Sequence, residues 1–162
     1  MQTLIFDAYE AYLALITTAV PTFTVYDGPQ PTLPTDQQMV LVGVADPLAT
    51  GMVLAVDTGQ QDWQSLGASE RLETFLIWST LVVWSGDNDL PGLRATAKTA
   101  IVAIAAALRP PPAGTGDAML GNVLNEGGNG WCGLAVTKVE QVQTVDGTAL
   151  HVQFALACTA YI

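Results

Sequence analysis

The segment that follows Gly130 constrains the fold most strongly, because it predicts a long β-hairpin. Two runs of alternating side chains, Trp131–Val145 and Thr148–Ile162, are joined by Asp146-Gly147. Asp-Gly between two such runs is the strongest short-range signal for a hairpin turn. If Val145 faces Thr148, the hairpin has one apolar and one polar face. The fold must therefore contain a sheet with two antiparallel strands at its C-terminal end.

This pairing assigns a set of side chains to each face of the hairpin. The apolar face, which we expect to join the core, holds Val139, Leu150, Val152, Phe154, Leu156 and Cys158. The other face, which we expect to meet solvent or a partner, holds Lys138, Glu140, His151 and Gln153. Such alternation is typical of a strand that is buried on one side.

The same predicted pairing indicates whether the two cysteines can form a disulfide. It places Cys158 opposite Ala135 and Cys132 opposite Tyr161, on different faces of the hairpin. A disulfide requires Cα atoms within about 7 Å and Cβ atoms that point toward each other. We therefore predict two free thiols, which is typical of a protein in a reducing compartment.

Two helices are predicted from the apolar spacing. Residues 2–19 place an apolar stripe on one side, formed by Ile5, Ala8, Tyr12, Leu15, Ile16 and Ala19. The second helix begins at Asp89, a predicted N-cap with a proline in the first turn, and extends to Leu108. Its predicted inner face consists of Leu93, Ala97, Ile101, Ile104 and Leu108, and three prolines end it.

The remaining periodic segments predict strands. They are Thr22–Tyr26, Met39–Val44, Met52–Val56, Glu70–Trp84 and a further candidate at Ala118–Leu124. In the longest of them we expect one parity to face the core, namely Leu72, Leu76, Trp78, Val82 and Trp84. The order of helix, strands, helix and hairpin indicates an α+β fold with a mostly antiparallel sheet. We expect one domain over residues 1–162.

The scarcity of charge suggests that part of the surface is covered by neighbouring subunits. Charged residues make up 12% of the chain and hydrophobic residues 50%, whereas a typical soluble domain carries about 25% charged residues. One interpretation is a compact core beneath a skin of Ser, Thr and Gln. The other is that the monomer exposes apolar patches which other copies cover. We favour the second.

The sign of the charge argues against tight binding to nucleic acid. Fifteen acids and five bases give a net charge of −10, and the bases are scattered along the sequence. Neutralisation of phosphates by clustered Lys and Arg supplies most of the affinity of nucleic-acid binders. A surface past which DNA slides without sticking remains compatible, because like charges repel.

The residues that usually carry chemistry are sparse. The single histidine, His151, is predicted to lie in mid-strand on the polar face of the hairpin as an exposed or interfacial residue. The sequence contains no Gly-x-Ser-x-Gly elbow. One His and two dispersed Cys do not suit a tetrahedral zinc site. A stretch that resembles a calcium loop, from Asp87, has Lys98 where a bidentate Glu is required. We predict no catalytic, cofactor-binding or metal-binding residues and no enzymatic activity.

The tryptophans fall into two groups. Trp78 and Trp84 share a strand parity with aliphatic residues, which predicts core packing. Trp63 and Trp131 lie beside polar or glycine-rich segments, where they suit either subunit contacts or loop anchoring. Met1–Phe6 lacks the positive region of a signal peptide, so we expect a soluble protein made in a cytoplasm.

The order of several short motifs resembles a known family. Val25-Tyr26-Asp27-Gly28-Pro29 is followed by the apolar strand Val40–Val44, by Asp62–Gly67 and by Arg71–Ile77. Ser85-Gly86-Asp87, an alanine-rich helix and Asp146–Ala149 complete the order. Together they resemble the tail terminator, or tail completion, proteins of long-tailed phages that infect actinobacteria. The stretch Pro110–Gly116 departs from the shorter link expected there.

The resemblance implies a structural role in the virion. Such proteins form a hexameric ring on the tail tube, stop its growth, and present a docking surface to the head-side connector, while DNA passes through the ring. Six copies at −10 each would carry −60, which would keep DNA from sticking to the lumen. We expect contacts with subunits or partners at Asp27, Gly28, Pro29, Trp63, Gly128 and Trp131.

Two alternatives remain. The first is another neck component, a head-closure or stopper protein, which would cap the portal side of the connector. The second is a small-molecule-binding or catalytic α+β domain, which we expect to be a monomer or dimer with one deep pocket.

Overall fold

The structure, a computed structural model, describes residues 4–30, 36–45, 56–57, 72–109, 120–121, 123–125 and 130–161. Within them the chain forms two α-helices, α1 (Ile5–Ala19) and α2 (Leu90–Ala107), and a short 3-10 helix at Val123–Asn125. The strands are β1 (Thr24–Asp27), β2 (Met39–Val42), β3 (Val56–Asp57), β4 (Leu72–Ser85), β5 (Trp131–Thr144) and β6 (Gly147–Tyr161).

The described strands form one sheet in the order β1-β2-β4-β6-β5, with β3 paired to β4 beside β2. β1 and β2 are parallel, and every other described pairing is antiparallel. β4 and β6 are its long central strands. The class is therefore α+β, with a mostly antiparallel sheet, two helices and a long C-terminal hairpin, as predicted.

Both helices pack on one face of the sheet and bury the main core. Residues of α1, α2 and the strands form one cluster of buried side chains, which includes Tyr12, Ile104, Phe75 and Phe154. A smaller cluster of Met39, Leu41, Val44, Val82 and Ala149 lies on the other face, with Tyr26 and Trp84 against it. Burial of large apolar side chains contributes about 1.5–3 kcal/mol each, so the main core dominates stability.

The buried stripe of α1 agrees closely with the prediction. Ile5, Ala8, Tyr12 and Ile16 are buried, Leu15 and Ala19 are half-buried, and Tyr9 joins the buried set. A hydrogen bond connects the start of this helix to the sheet: the buried carboxylate of Glu73 in β4 accepts from the Leu4 N–H at 2.9 Å. One N–H at the start of the helix, which would otherwise lack a partner, is satisfied in this way.

The start of α2 also follows the predicted signals. The Asp89 side chain accepts a hydrogen bond from the Gly92 N–H at 3.0 Å, and Pro91 lies in the first turn. Leu93, Ala97, Ile104 and Leu108 are buried as predicted, while Ala100 takes the buried place predicted for the half-buried Ile101.

The predicted core face of β4 is wrong. The odd-numbered residues face the helices and are buried, among them Phe75, Ile77, Leu81 and Val83, together with Glu73 and Ser79. On the other face Val82 is buried in the smaller cluster, whereas Leu72, Leu76, Trp78 and Trp84 are half-buried there and Trp84 packs against that cluster. Both parities are rich in apolar residues, so the helices decide which face becomes the core.

The predicted pairing of the hairpin is also wrong, in two places. Thr144 faces Gly147, so that the turn consists of Val145 and Asp146. An irregularity between Val136 and Lys138 then shifts the pairing by one residue. A β-bulge of this kind adds one residue to one strand and changes which side chains face each other. Cys132 consequently lies directly opposite Cys158 instead of Tyr161.

The tip of the hairpin packs against the turn between β4 and α2. The Thr148 hydroxyl donates to the Asn88 Oδ1, and the Gln143 amide donates to the same atom at 3.2 Å. Gly147 passes close to β4, because a Cβ atom there would lie 2.3 Å from the Ser85 carbonyl oxygen. Only glycine fits this approach.

The other predicted strands differ mainly at their ends. Strand β1 begins two residues later than predicted, and β2 ends at Val42 because Gly43 turns with a φ of 80°. Of the strand predicted at Met52–Val56, only Val56 is described, and it belongs to β3. The strand predicted at Ala118–Leu124 is wrong for its described residues, since Leu120 has a positive φ and Val123–Asn125 is a 3-10 helix.

Candidate functional site

The outer edge of β5 is the most prominent exposed apolar feature of the described structure. β5 is the terminal strand in the sheet order, and its outer backbone edge pairs with no other described strand. Trp131 is 54% exposed, Val136 47% and Val139 58%. A long edge strand with exposed apolar side chains is a template for association with another chain.

The exposure of β5 follows from the position of the helices. Among the described elements, α2 contacts β4 and β6 and α1 contacts β1, which leaves the far part of β5 uncovered. Five consecutive residues, Ala135 to Val139, are exposed, so both faces of the strand meet solvent there. Val139 was expected in the core, and this expectation is wrong because no described helix reaches it.

A second predicted contact, Asp27-Gly28-Pro29, lies at the end of β1. The Tyr9 hydroxyl donates to Asp27 Oδ1 at 2.6 Å and lies 3.1 Å from the Val42 carbonyl oxygen. Burial and then the Asp27 carboxylate raise the pKa of Tyr9 above its usual range. Gly28 is buried, has a φ of 75°, and donates its N–H to the Val42 carbonyl. Asp27 and Gly28 thus also fix the end of this strand.

The structure does not bring the predicted contact residues together. Asp27 lies on the β1 edge of the sheet and Trp131 on the β5 edge, with three strands between them. At the usual strand spacing this corresponds to about 19 Å. Trp63 and Gly128 lie outside the described residues. The predicted residues therefore mark two separate sides of the subunit.

The titratable and nucleophilic groups that do come together are enclosed in the core. Tyr12, Cys132 and Cys158 are buried side by side beneath α1, near the buried Ser79 hydroxyl. Burial raises the pKa of Tyr12 above its usual range. A hydrogen bond to Cys132, followed by burial, raises the pKa of the Cys158 thiol. A substrate has no access to these groups in the folded chain.

His151 is buried, contrary to the prediction that it is exposed or interfacial. It is 6% exposed, lies opposite Glu140 in β5 and Val82 in β4, and belongs to the face away from the helices. The central position of β6, flanked by two long strands, buries it. Glu140 forms an ion pair with Lys138 on the same strand.

Shallow grooves border α1 and α2. An open groove of about 730 Å³ runs between α1 and α2, and alanines such as Ala14 and Ala103 line most of it. No group of three or more His, Cys, Asp or Glu within the described ranges is arranged to hold a metal ion. By length and composition α2 could cross a membrane, but here it packs on the sheet through Leu93 and Ile104.

Some exposed apolar residues were not predicted. Phe6 is 70% exposed on α1, and Val102 is 56% exposed on α2. Both positions lie off the apolar stripes of their helices, so the helical spacing in the sequence would have been enough to predict their exposure. The bulge places Val136 opposite Phe154 on the helix-facing side, and Val136 is exposed because the described helices do not cover this part of β5.

No protein-family model matches the chain. No curated protein matches its sequence.

Proposed function

We propose that this chain is a structural subunit of a phage tail terminator ring. Copies of it would close a ring on the end of the tail tube, stop tube growth, and form the surface to which the head-side connector attaches. The chain would act through its contacts, with no reaction of its own. The ring would belong to the virion and be assembled in the cytoplasm of the host.

The observation that carries this proposal is the uncovered β5 edge. Soluble monomers protect long edge strands with charge, proline, bulges or a covering element. β5 carries a bulge near Thr137 and the ion pair of Lys138 and Glu140, but Trp131, Val136 and Val139 are still exposed along it. An apolar edge of this length suits a subunit whose neighbours cover it.

The acidic composition supports the same proposal. The exposed acids among the described residues include Asp7, Glu10, Asp36, Asp87 and Asp146. A ring that presents such residues to its lumen would repel the phosphates of passing DNA. Strong binding of the assembled ring to duplex DNA at physiological salt would contradict this part of the proposal.

The test is an assay of tail-tube growth. Purified tail-tube protein of the same phage is polymerised with and without this chain, and tube lengths are measured by negative-stain microscopy. The proposal predicts that tubes stop growing and carry a ring at one end. Tubes of unchanged length, with the chain bound to the portal-side connector, would instead identify a stopper protein.

A pair of variants makes the assay specific for β5. Val139→Asp places a charge on the exposed edge strand, whereas Val145→Asp places the same charge at the fully exposed turn of the hairpin. We expect at least about a tenfold loss of ring formation for Val139→Asp, because an unpaired charge in an interface is costly. Val145→Asp should behave like the unmodified chain. Equal behaviour of both variants would contradict the role of β5.

A further inference from the structure

The two helices carry opposite charges on opposite sides of the molecule. α1 displays Asp7 and Glu10 beside the exposed Phe6. α2 displays Arg94 and Lys98, and Arg109 follows at its end. Two of the five basic residues of a chain with a net charge of −10 thus belong to this helix, and a third follows directly after it. None of these five charged side chains forms an ion pair with another residue of the described ranges.

On α1, Glu10 and Phe6 face away from α2, whereas Asp7 lies on the side of the helix that borders α2. Ala11, Leu15 and Thr18 line the groove between the helices. Phe6 and Glu10, one turn apart, lie about a third of the helix circumference from that stripe, on the side away from the buried residues and from α2. The Tyr9 side chain, which reaches Asp27 of β1, shows that this side of α1 lies toward the β1 edge of the sheet.

The charged stripe of α2 faces away from α1 by the same reasoning. Thr99, Ala103 and Ala106 line the grooves shared with α1. Arg94 and Lys98, also one turn apart, occupy a separate stripe about a third of the circumference away. α2 contacts β4 and β6, so this stripe lies toward the β5 edge. The acidic and basic sides are therefore opposite flanks of the helical layer.

The acidic and basic residues also lie at matching positions along the helix axes, on the two opposite flanks. Residues 11–19 share a groove with residues 103–107, and residues 19–23 share one with residues 95–103, so the helices are antiparallel. Glu10 is consequently level with the end of α2, where Arg109 lies. At the opposite end, the exposed Asp36 precedes β2 on the acidic side, level with Arg94 and Lys98 on the basic side.

We propose that copies of this chain associate head to tail, with the acidic side of one copy (Glu10, Asp36 and Phe6) against the basic side of the next (Arg94, Lys98, Arg109 and Val102). The proposal deepens the proposed ring and rests on it, since it names the surfaces that join neighbouring subunits. A contact between two different surfaces generates a ring when its rotation closes. The exposed Phe6 and Val102 supply the apolar part of the contact.

Charge reversal on one side at a time tests the proposal. One variant carries Glu10→Lys and Asp36→Lys, and the other carries Lys98→Glu and Arg109→Glu. Each alone should associate at least about tenfold more weakly than the unmodified chain, because attraction becomes repulsion at both heights. An equimolar mixture of the two variants should regain association. One variant then has two basic sides and the other two acidic sides, so a ring in which they alternate joins opposite charges at every contact. A chain with all four changes should also regain it.

The control carries the same charge change elsewhere. Asp87→Lys with Asp146→Lys alters two exposed acids, one at the hairpin tip and one in the turn before α2, outside the residues named for either flank. This variant should leave association within about twofold of the unmodified chain. Association is measured by sedimentation velocity at low and high salt, with circular dichroism to verify folding. Salt should weaken the unmodified contact, since exposed charges are screened.

The outcomes separate this proposal from the function. Association of the unmodified chain that is insensitive to the reversals, or a mixture that stays dissociated, would overturn the helix-flank contact and leave the ring intact. If mixing the two variants restores association but the resulting rings do not bind tail tubes, the helix-flank contact is supported and the proposed tail terminator function is overturned. An unmodified chain that never associates, with or without tail tubes, would overturn both.

Discussion

Cys132 and Cys158 are direct partners across β5 and β6, and both side chains belong to the buried main core. Both are free and buried, at 7% and 2% exposure. The neighbouring Tyr12 lies above them in the core. The pair therefore behaves as part of the hydrophobic interior, where small and weakly polar thiols are common.

This burial predicts thiols that do not react in the folded chain. The thiolate is the reactive form, and the raised pKa of Cys158 keeps that thiol protonated at neutral pH. We expect an aromatic disulfide reagent to label neither cysteine at pH 7.5 without denaturant, and to label both in guanidinium chloride. Rapid labelling of either cysteine in the folded chain would contradict the packing described here.

The same core predicts a loss of stability at alkaline pH. Tyr12 and Cys158 have ordinary pKa values of 10.0 and 9.0, and both are raised in the folded chain. The unfolded chain then loses protons that the folded chain keeps, so the free energy of unfolding falls as pH rises above about 9. Each such group contributes a slope of about 1.4 kcal/mol per pH unit once the unfolded form is ionised.

Tyr12→Phe separates the tyrosine from the other groups. Denaturant unfolding at several pH values between 8 and 11 should show a shallower decline for this variant above pH 10, by about 1.4 kcal/mol per unit. Below pH 9 the two proteins should keep a constant difference. Identical pH profiles above pH 10 would show that Tyr12 ionises in the folded chain.

Tyr9→Phe should destabilise the fold through its lost hydrogen bond. The hydroxyl joins α1 to Asp27 and lies beside the Val42 carbonyl, and a partly buried bond to a charged acceptor contributes about 1.5–3 kcal/mol. The control is Tyr26→Phe, whose hydroxyl contacts the exposed Gln37 at 3.2 Å. We expect the control to cost less than about 0.5 kcal/mol in urea unfolding. A larger effect at Tyr26 than at Tyr9 would contradict the assignment.

Gly147→Ala should be more damaging than another glycine substitution in the same hairpin. A Cβ at Gly147 meets the Ser85 carbonyl oxygen at 2.3 Å and the Gly86 Cα at 2.9 Å, so backbone must move. We expect a loss of about 2 kcal/mol or more. At Gly133 the nearest side-chain atom is at 3.7 Å, an ordinary contact. Thermal unfolding of both variants gives the comparison, and equal melting temperatures would refute the close approach.

Local signals predicted the elements of the fold well. Asp89 and Pro91 lie at the start of α2 as expected, because a cap and its proline act within one turn. The hairpin formed at its Asp-Gly signal, although Val145 and Asp146 became the turn. The buried stripe of α1 followed from spacing alone.

Features set by distant contacts were not predictable in the same way. Both parities of β4 are apolar, so only the positions of the helices select Phe75 and Leu81 for the main core. The bulge near Thr137 occurs without a glycine or proline at that point. It places Cys132 opposite Cys158, whereas the predicted pairing had put the two cysteines on different faces. The exposure of Val136 and Val139 depends on which strands the helices leave uncovered.

The most direct test of the account is the mass and shape of the particle that the purified chain forms, alone and with tail-tube protein. Native mass spectrometry and negative-stain images should show rings with a central hole, whose mass is a multiple of 17.0 kDa. Six copies would agree with the resemblance to tail terminators. A chain that remains a 17.0-kDa monomer at every concentration, and on tail-tube ends, would contradict the account.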